Sequence, residues 1–136
     1  QGVPGVMNGL STADFLWSIQ CNVILQLAEK GPCVIVGRCS DYVLGDRENC
    51  LKVFIHADLP SRVRRCVEEY HIPQDDMERR VVQMDRGRAN YYNYYTGHSW
   101  GEMRRYDLTI NSSTVGVEGA VDLIADMVRH REAQHV

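Results

Sequence analysis

Between residues 16 and 27 the apolar positions keep to one side of a helix: Leu16, Ile19, Val23, Ile24 and Leu27 recur at three- and four-residue spacing. Ser11-Thr12-Ala13-Asp14 supplies cap candidates ahead of them, so the spacing predicts a helix over about 13–29, ended by Gly31-Pro32. Cys33-Val34-Ile35-Val36 then forms an unbroken apolar run, the form of a strand buried on both faces. A second β-rich run, Leu51 to Ala57, leads into Asp58-Leu59-Pro60-Ser61, a helix start with proline in its first turn. Val63, Cys66, Val67 and Tyr70 mark the apolar face of that helix, which stops before Pro73. From Asp75 another helix carries Met77, Val81, Met84, Ala89, Tyr92 and Tyr95, with Gly87 costing about 1 kcal/mol relative to alanine. Tyr106 to Ile110 predicts a third short strand, and Val117, Val121, Ile124 and Val128 the stripe of a last helix.

The resulting order is α-β-β-α-α-β-α, and strands joined by helical crossovers predict an α/β fold, a mainly parallel sheet flanked by helices. In such sheets a ligand lies beyond the C-terminal ends of the strands. Gly37-Arg38, the Asp58-to-Arg65 stretch and Asn111-Ser112-Ser113 all follow strands and so fall there. One domain spanning 1–136 is expected at this length, with no internal repeat.

Composition narrows the class. Hydrophobic residues at 44% and charged residues at 24% suit a globular core rather than disorder. No apolar run approaches a membrane span, and no signal-like N-terminus is visible, so a cytoplasmic protein without membrane contact is expected. Cys21, Cys33, Cys39, Cys50 and Cys66 show no C-x-x-C pair and read as reduced, packed thiols. His56, His71, His98, His130 and His135 show no ligand spacing, so no metal is assigned to protein side chains.

A net charge of -3 argues against a broad footprint for duplex nucleic acid. The basic residues are nevertheless distinctive: 13 of 15 are arginine, and nine of those lie between Arg62 and Arg105. A guanidinium fork grips phosphate at two points, which suits a phosphate-handling surface, although solvated helix faces give the same composition.

Arg38, after the first apolar run, is placed to hold a phosphate, and equally to pair with Asp41 at a strand end. In Asp85-Arg86-Gly87-Arg88, Asp85 and Arg88 share a helical face, so the carboxylate can orient a guanidinium that grips an anion. An exposed intrahelical ion pair is the plainer reading of the same spacing. Tyr91-Tyr92-Asn93-Tyr94-Tyr95 is too dense for one apolar face, so some rings must look outward to a partner, a base or the sheet edge. Trp100 is expected to anchor the loop after them.

Four ordered segments together resemble the cytidylate kinase-like family of P-loop nucleoside monophosphate kinases. They are Cys33 to Leu44, Lys52 to Ala57 with its Arg-rich helix, Asp85 to Tyr92, and Trp100 to Ser112. The resemblance implies transfer of the γ-phosphoryl of ATP to a CMP-like nucleoside monophosphate, with Mg²⁺ accompanying ATP. By the same resemblance Arg88 and Asp85 act at the transfer centre, Arg38, Asp41 and Arg86 bind the acceptor, and Arg62 and Arg65 approach ATP. Arg38 and Arg88 are then expected to converge on one pocket.

Three departures accompany it. No G-x-x-x-x-G-K-[ST] loop occurs, and the Gly2-to-Gly9 stretch lacks its Lys and Ser/Thr, so the family's first strand and phosphate loop are expected upstream of Gln1 and the chain alone is expected to be inactive. Cys39 follows Gly37-Arg38 where the cytidylate kinases have Asp, and Val81 stands where they have a further Arg. The alternative is a non-catalytic nucleotide-binding or oligomer-forming remnant, since a missing central strand leaves a sheet edge that another chain can fill. An RNA-binding module using Arg and Tyr is a third, weaker option.

Overall fold

The computed structural model describes residues 6–7, 10–73 and 75–134. Gly2 to Gly5, Asn8 and Gly9, which bear on the phosphate-loop comparison, and His135 lie outside them. The chain forms two compact units, residues 1–50 and 51–136.

In the first unit β1 (Val6–Met7) pairs antiparallel with β2 (Leu10–Ser11), and α1 (Thr12–Lys30) follows directly. Ser11 is its N-cap, the hydroxyl accepting from the Asp14 N–H at 3.1 Å, and Gly31 closes it at φ 148°. The helix matches the periodicity, but of its apolar stripe only Ile24 is buried. The buried strand expected at 33–36 does not form. Val34 is 92% and Val36 86% exposed, Cys33 is exposed rather than packed, and the segment runs without regular structure. An apolar run becomes a strand only where a neighbouring strand takes its backbone hydrogen bonds, and none does so among the described residues.

Gly37, Arg38 and Cys39 follow in succession with left-handed φ of 66°, 59° and 56°, and a one-turn helix α2 (Ser40–Val43) begins after them. The Ser40 N–H closes this turn on the Gly37 carbonyl at 3.1 Å.

The second unit holds the parallel pair. β3 (Val53–His56) lies beside β4 (Leu108–Asn111) in register Val53 to Leu108 through His56 to Asn111. Lys52 and Asp107 clamp its start: the Asp107 N–H donates to the Lys52 carbonyl, and its carboxylate accepts from the Lys52 N–H, both at 2.8 Å. Between the strands run α3 (Leu59–Glu68) and α4 (Met77–Thr96), packed on each other. Asp58 caps α3 by accepting from the Ser61 N–H at 2.8 Å, with Pro60 in the first turn as expected. Met77, Val81, Tyr92 and Thr96 are the buried positions of α4, whereas Met84, expected in the same stripe, is exposed.

The last helix, α5 (Ser112–Gln134), is interrupted at Gly116, where φ is 74° and ψ 173°. It packs on both strands, and Ile110 and Ala120 are buried there. The architecture is therefore mixed α/β, helix-rich with a parallel strand pair. No helix among the described residues is long and apolar enough to cross a membrane.

Candidate functional site

Beyond the C-terminal ends of β3 and β4 lies a cleft of about 470 Å³. The chain reaches it because both strands end in step at His56 and Asn111 and then turn away into helices. Two hydrogen bonds tie the two exits together, and a third braces the β4 exit on itself. The Ser112 hydroxyl donates to the His56 carbonyl at 3.3 Å, the Ser113 hydroxyl accepts from the Asp58 N–H at 2.7 Å, and the Ser113 N–H donates to Asn111 Oδ1 at 3.0 Å. This latch fixes the start of α3, and α3 carries two of the cleft's arginines, Arg62 and Arg65.

One wall is aromatic. Phe54 meets Trp100 edge-on at 5.7 Å between ring centroids and Tyr106 at 5.1 Å in a tilted contact. Trp100 is held by its backbone, whose N–H donates to Asn93 Oδ1 at 2.8 Å, so the expected loop anchor works through main chain and ring together. Gly101 has φ 81°, and a Cβ added there would lie 3.4 Å from the Phe54 ring. Glycine therefore lets the loop close over that wall.

The cationic part of the lining is supplied by Arg62, Arg65 and Arg88. Asp85 sits between two of them. Arg62 donates through both terminal nitrogens, Nη1 to Oδ2 at 2.5 Å and Nη2 to Oδ1 at 2.7 Å, and Arg88 Nη1 donates to Oδ1 at 3.0 Å. The Arg62 and Asp85 side chains are 31% and 26% exposed, so this fork is partly withdrawn from water, while Arg88 is half exposed. Hydrogen bonding from Arg62 holds the Asp85 carboxyl below its ordinary range, and the same bonds raise Arg62. Arg65 lies 3.7 Å from Glu69, the residue that closes α3. The N-terminus of α3 is already taken by Asp58, whose carboxyl is lowered first by the Ser61 N–H.

The structure thus gathers Arg62, Arg65, Asp85 and Arg88 into one cleft. Arg86 lines a separate shallow depression with Asp76, Glu78 and Arg79. Arg38 and Asp41 belong to the first unit, where the Arg38 carbonyl accepts from the Gln20 amide at 3.3 Å and the Arg38 side chain faces solvent. Spacing along one helix pairs Asp85 with Arg88 but is blind to the stronger contact with Arg62, which crosses between helices. The aromatic wall was equally hidden, since Phe54, Trp100 and Tyr106 meet only through the fold. The tyrosine run divides as its density required: Tyr92 is 4% exposed, while Tyr94 is 73% exposed and stacks edge-on with Tyr95 at 4.8 Å.

The model of the cytidylate kinase-like family matches residues 3–114. The chain belongs to that family. The family's segments therefore cover both strands, α3 and α4, and hence every arginine of the cleft. A solved structure similar to the chain is that of an uncharacterized protein from Eubacterium ventriosum, 32% identical, with a TM-score of 0.78 over 84% of this chain. The chain spans 65% of that protein's length. No curated protein matches it.

Proposed function

We propose that the chain is the substrate-handling part of a nucleotide kinase whose full-length form transfers the γ-phosphoryl of ATP to a CMP-like nucleoside monophosphate. The observation that carries this reading is the cleft: three guanidiniums line it together with the Phe54 and Trp100 rings at the strand ends, a surface matched to a ligand with an anionic end and a flat ring. Family membership supports phosphoryl transfer as the chemistry.

Such transfer is mostly positioning and charge neutralisation. Arg88 donates to Asp85 through a single nitrogen, which leaves the rest of its fork for phosphate oxygens. Arg62 and Arg65, one turn apart on α3, line the same cleft and act on the donor's phosphates; Asp85 sets the angle of Arg88. Arg38, Asp41 and Arg86 are proposed as acceptor contacts on family membership alone. Mg²⁺ enters with ATP, supplying charge neutralisation on the donor phosphates. Among the described residues no group of three metal-binding side chains occurs, and both Asp85 oxygens already accept from guanidiniums, so the ion would be held by the donor's phosphates.

The sequence carries no G-x-x-x-x-G-K-[ST] loop, so the 136 residues alone bind nucleotide without turnover. Calorimetric titration tests this. CMP should bind the wild-type chain and bind Arg88→Ala at least about tenfold more weakly, the loss of a charge-assisted phosphate contact. Absence of any mononucleotide binding, or binding indifferent to Arg88, refutes the assignment. A second reading, an oligomer-forming remnant, is favoured by the outward apolar residues Val34, Val36, Leu16 and Val23. A concentration-dependent sedimentation coefficient together with absent CMP binding would select it.

A further inference from the structure

Arg62 presents an unusual situation for a phosphate-binding side chain. Its two terminal nitrogens, the parts of a guanidinium that grip a phosphate side by side, are both engaged by the two oxygens of Asp85. The same carboxylate takes one nitrogen of Arg88, so a single internal anion occupies the place between two cations of the cleft. Asp85 comes from α4 and Arg62 from α3, so the contact crosses two elements and is not a by-product of helical spacing.

We infer that Asp85 is an internal competitor for the phosphate seat of Arg62 and Arg88, so that an incoming phosphoanion must displace its carboxylate from Arg62 and a polyphosphate binds better than a single phosphate. The inference rests on the functional reading above for the identity of the cleft, and goes beyond it in assigning the cleft a closed resting state and a preference. A carboxylate carries one charge spread over two oxygens. An orthophosphate offers little more, whereas a polyphosphate brings several charges and can hold Arg65 and Arg88 while it displaces Asp85. Apparent affinity falls by the fraction of molecules in which the seat is open. Asp85→Asn keeps the shape and removes the charge that closes the seat.

Inorganic tripolyphosphate and orthophosphate, titrated calorimetrically into the 136-residue chain, read this directly. Orthophosphate, which needs the open seat, should bind Asp85→Asn about tenfold more tightly than wild type, as expected if the pair is closed about nine-tenths of the time. Tripolyphosphate, which can already hold Arg65 before the seat opens, should gain less, so that the preference for it narrows. Removing a negative charge anywhere nearby attracts anions, and Glu69→Gln, which strips the partner of Arg65, measures that general effect; it should change affinity less than threefold. Equal gains in the two variants, or no gain in Asp85→Asn, overturn the inference. If Asp85→Asn unfolds, the wild type alone decides: saturating tripolyphosphate must move the Arg62 Nε–Hε resonance, and an unmoved resonance overturns it. Failure of this proposal is separable from failure of the functional reading, because CMP binding that depends on Arg88 can persist when tripolyphosphate ignores Asp85, and the converse can also hold.

Discussion

Phe54→Ala tests whether the aromatic wall is part of what holds the second unit together. The Phe54 ring is half-buried and meets two rings, Trp100 at 5.7 Å and Tyr106 at 5.1 Å. Each such pair contributes about 0.5–1.5 kcal/mol beyond burial. Removing a half-buried ring forfeits roughly 100 Å² of apolar contact, worth about 2.5 kcal/mol at 25 cal/mol per Å². The total expected loss is about 3.5–5.5 kcal/mol, and the upper end falls if Trp100 relaxes into the space. Phe54→Leu restores most of the burial but neither ring pair, so it should lie about 1–3 kcal/mol below wild type. The assay is urea denaturation followed by tryptophan fluorescence in a Trp17→Phe background, which leaves Trp100 as the reporter. Trp100 emission in native Phe54→Ala should also shift to longer wavelength as water reaches the indole. A loss under 1 kcal/mol, or Leu no better than Ala, would refute the claim that these rings support one another.

Two further outcomes follow from ionisation. The Arg62 bonds hold the folded Asp85 carboxyl below its ordinary value of 3.8, so its stabilising contribution is fully present above that value and is lost as pH falls through the lower folded value. Thermal melts below about pH 4 should therefore decline more steeply for wild type than for Asp85→Asn, and parallel curves would contradict the pairing. The Cys39 thiol is pushed up to about 11 by burial, with the Asp41 charge and Cys21 adding to it, whereas Cys33 is exposed. Iodoacetamide at pH 8 should label Cys33 first and Cys39 last, read by peptide mass spectrometry; early labelling of Cys39 would contradict its burial.

Periodicity was enough to place α1, α3, α4 and α5 and the two paired strands, helped at α1 and α3 by Ser11 and Asp58 as caps and by Pro60 in a first turn. It failed at 33–36, where composition alone argued for a strand. Strand formation is decided by a neighbour's backbone, which no property of Val34 or Val36 encodes. The one-residue interruption of α5 at Gly116 was likewise invisible, since glycine in a helical pattern is ordinarily tolerated. At the cleft, arginine density pointed to the right stretch of chain. The Arg62 to Asp85 contact and the serine latch depend on how α3, α4 and the strand ends meet, so they were not legible from spacing.

The turn at Gly37-Arg38-Cys39 has a bearing on how the protein would respond to selection for hardiness. Arg38 and Cys39 both adopt a backbone conformation that side chains resist, at about 1 kcal/mol or more each, and glycine would relieve it. A laboratory screen for heat tolerance alone should therefore drift toward Arg38→Gly, discarding a guanidinium that stays outward at a standing cost to the native state.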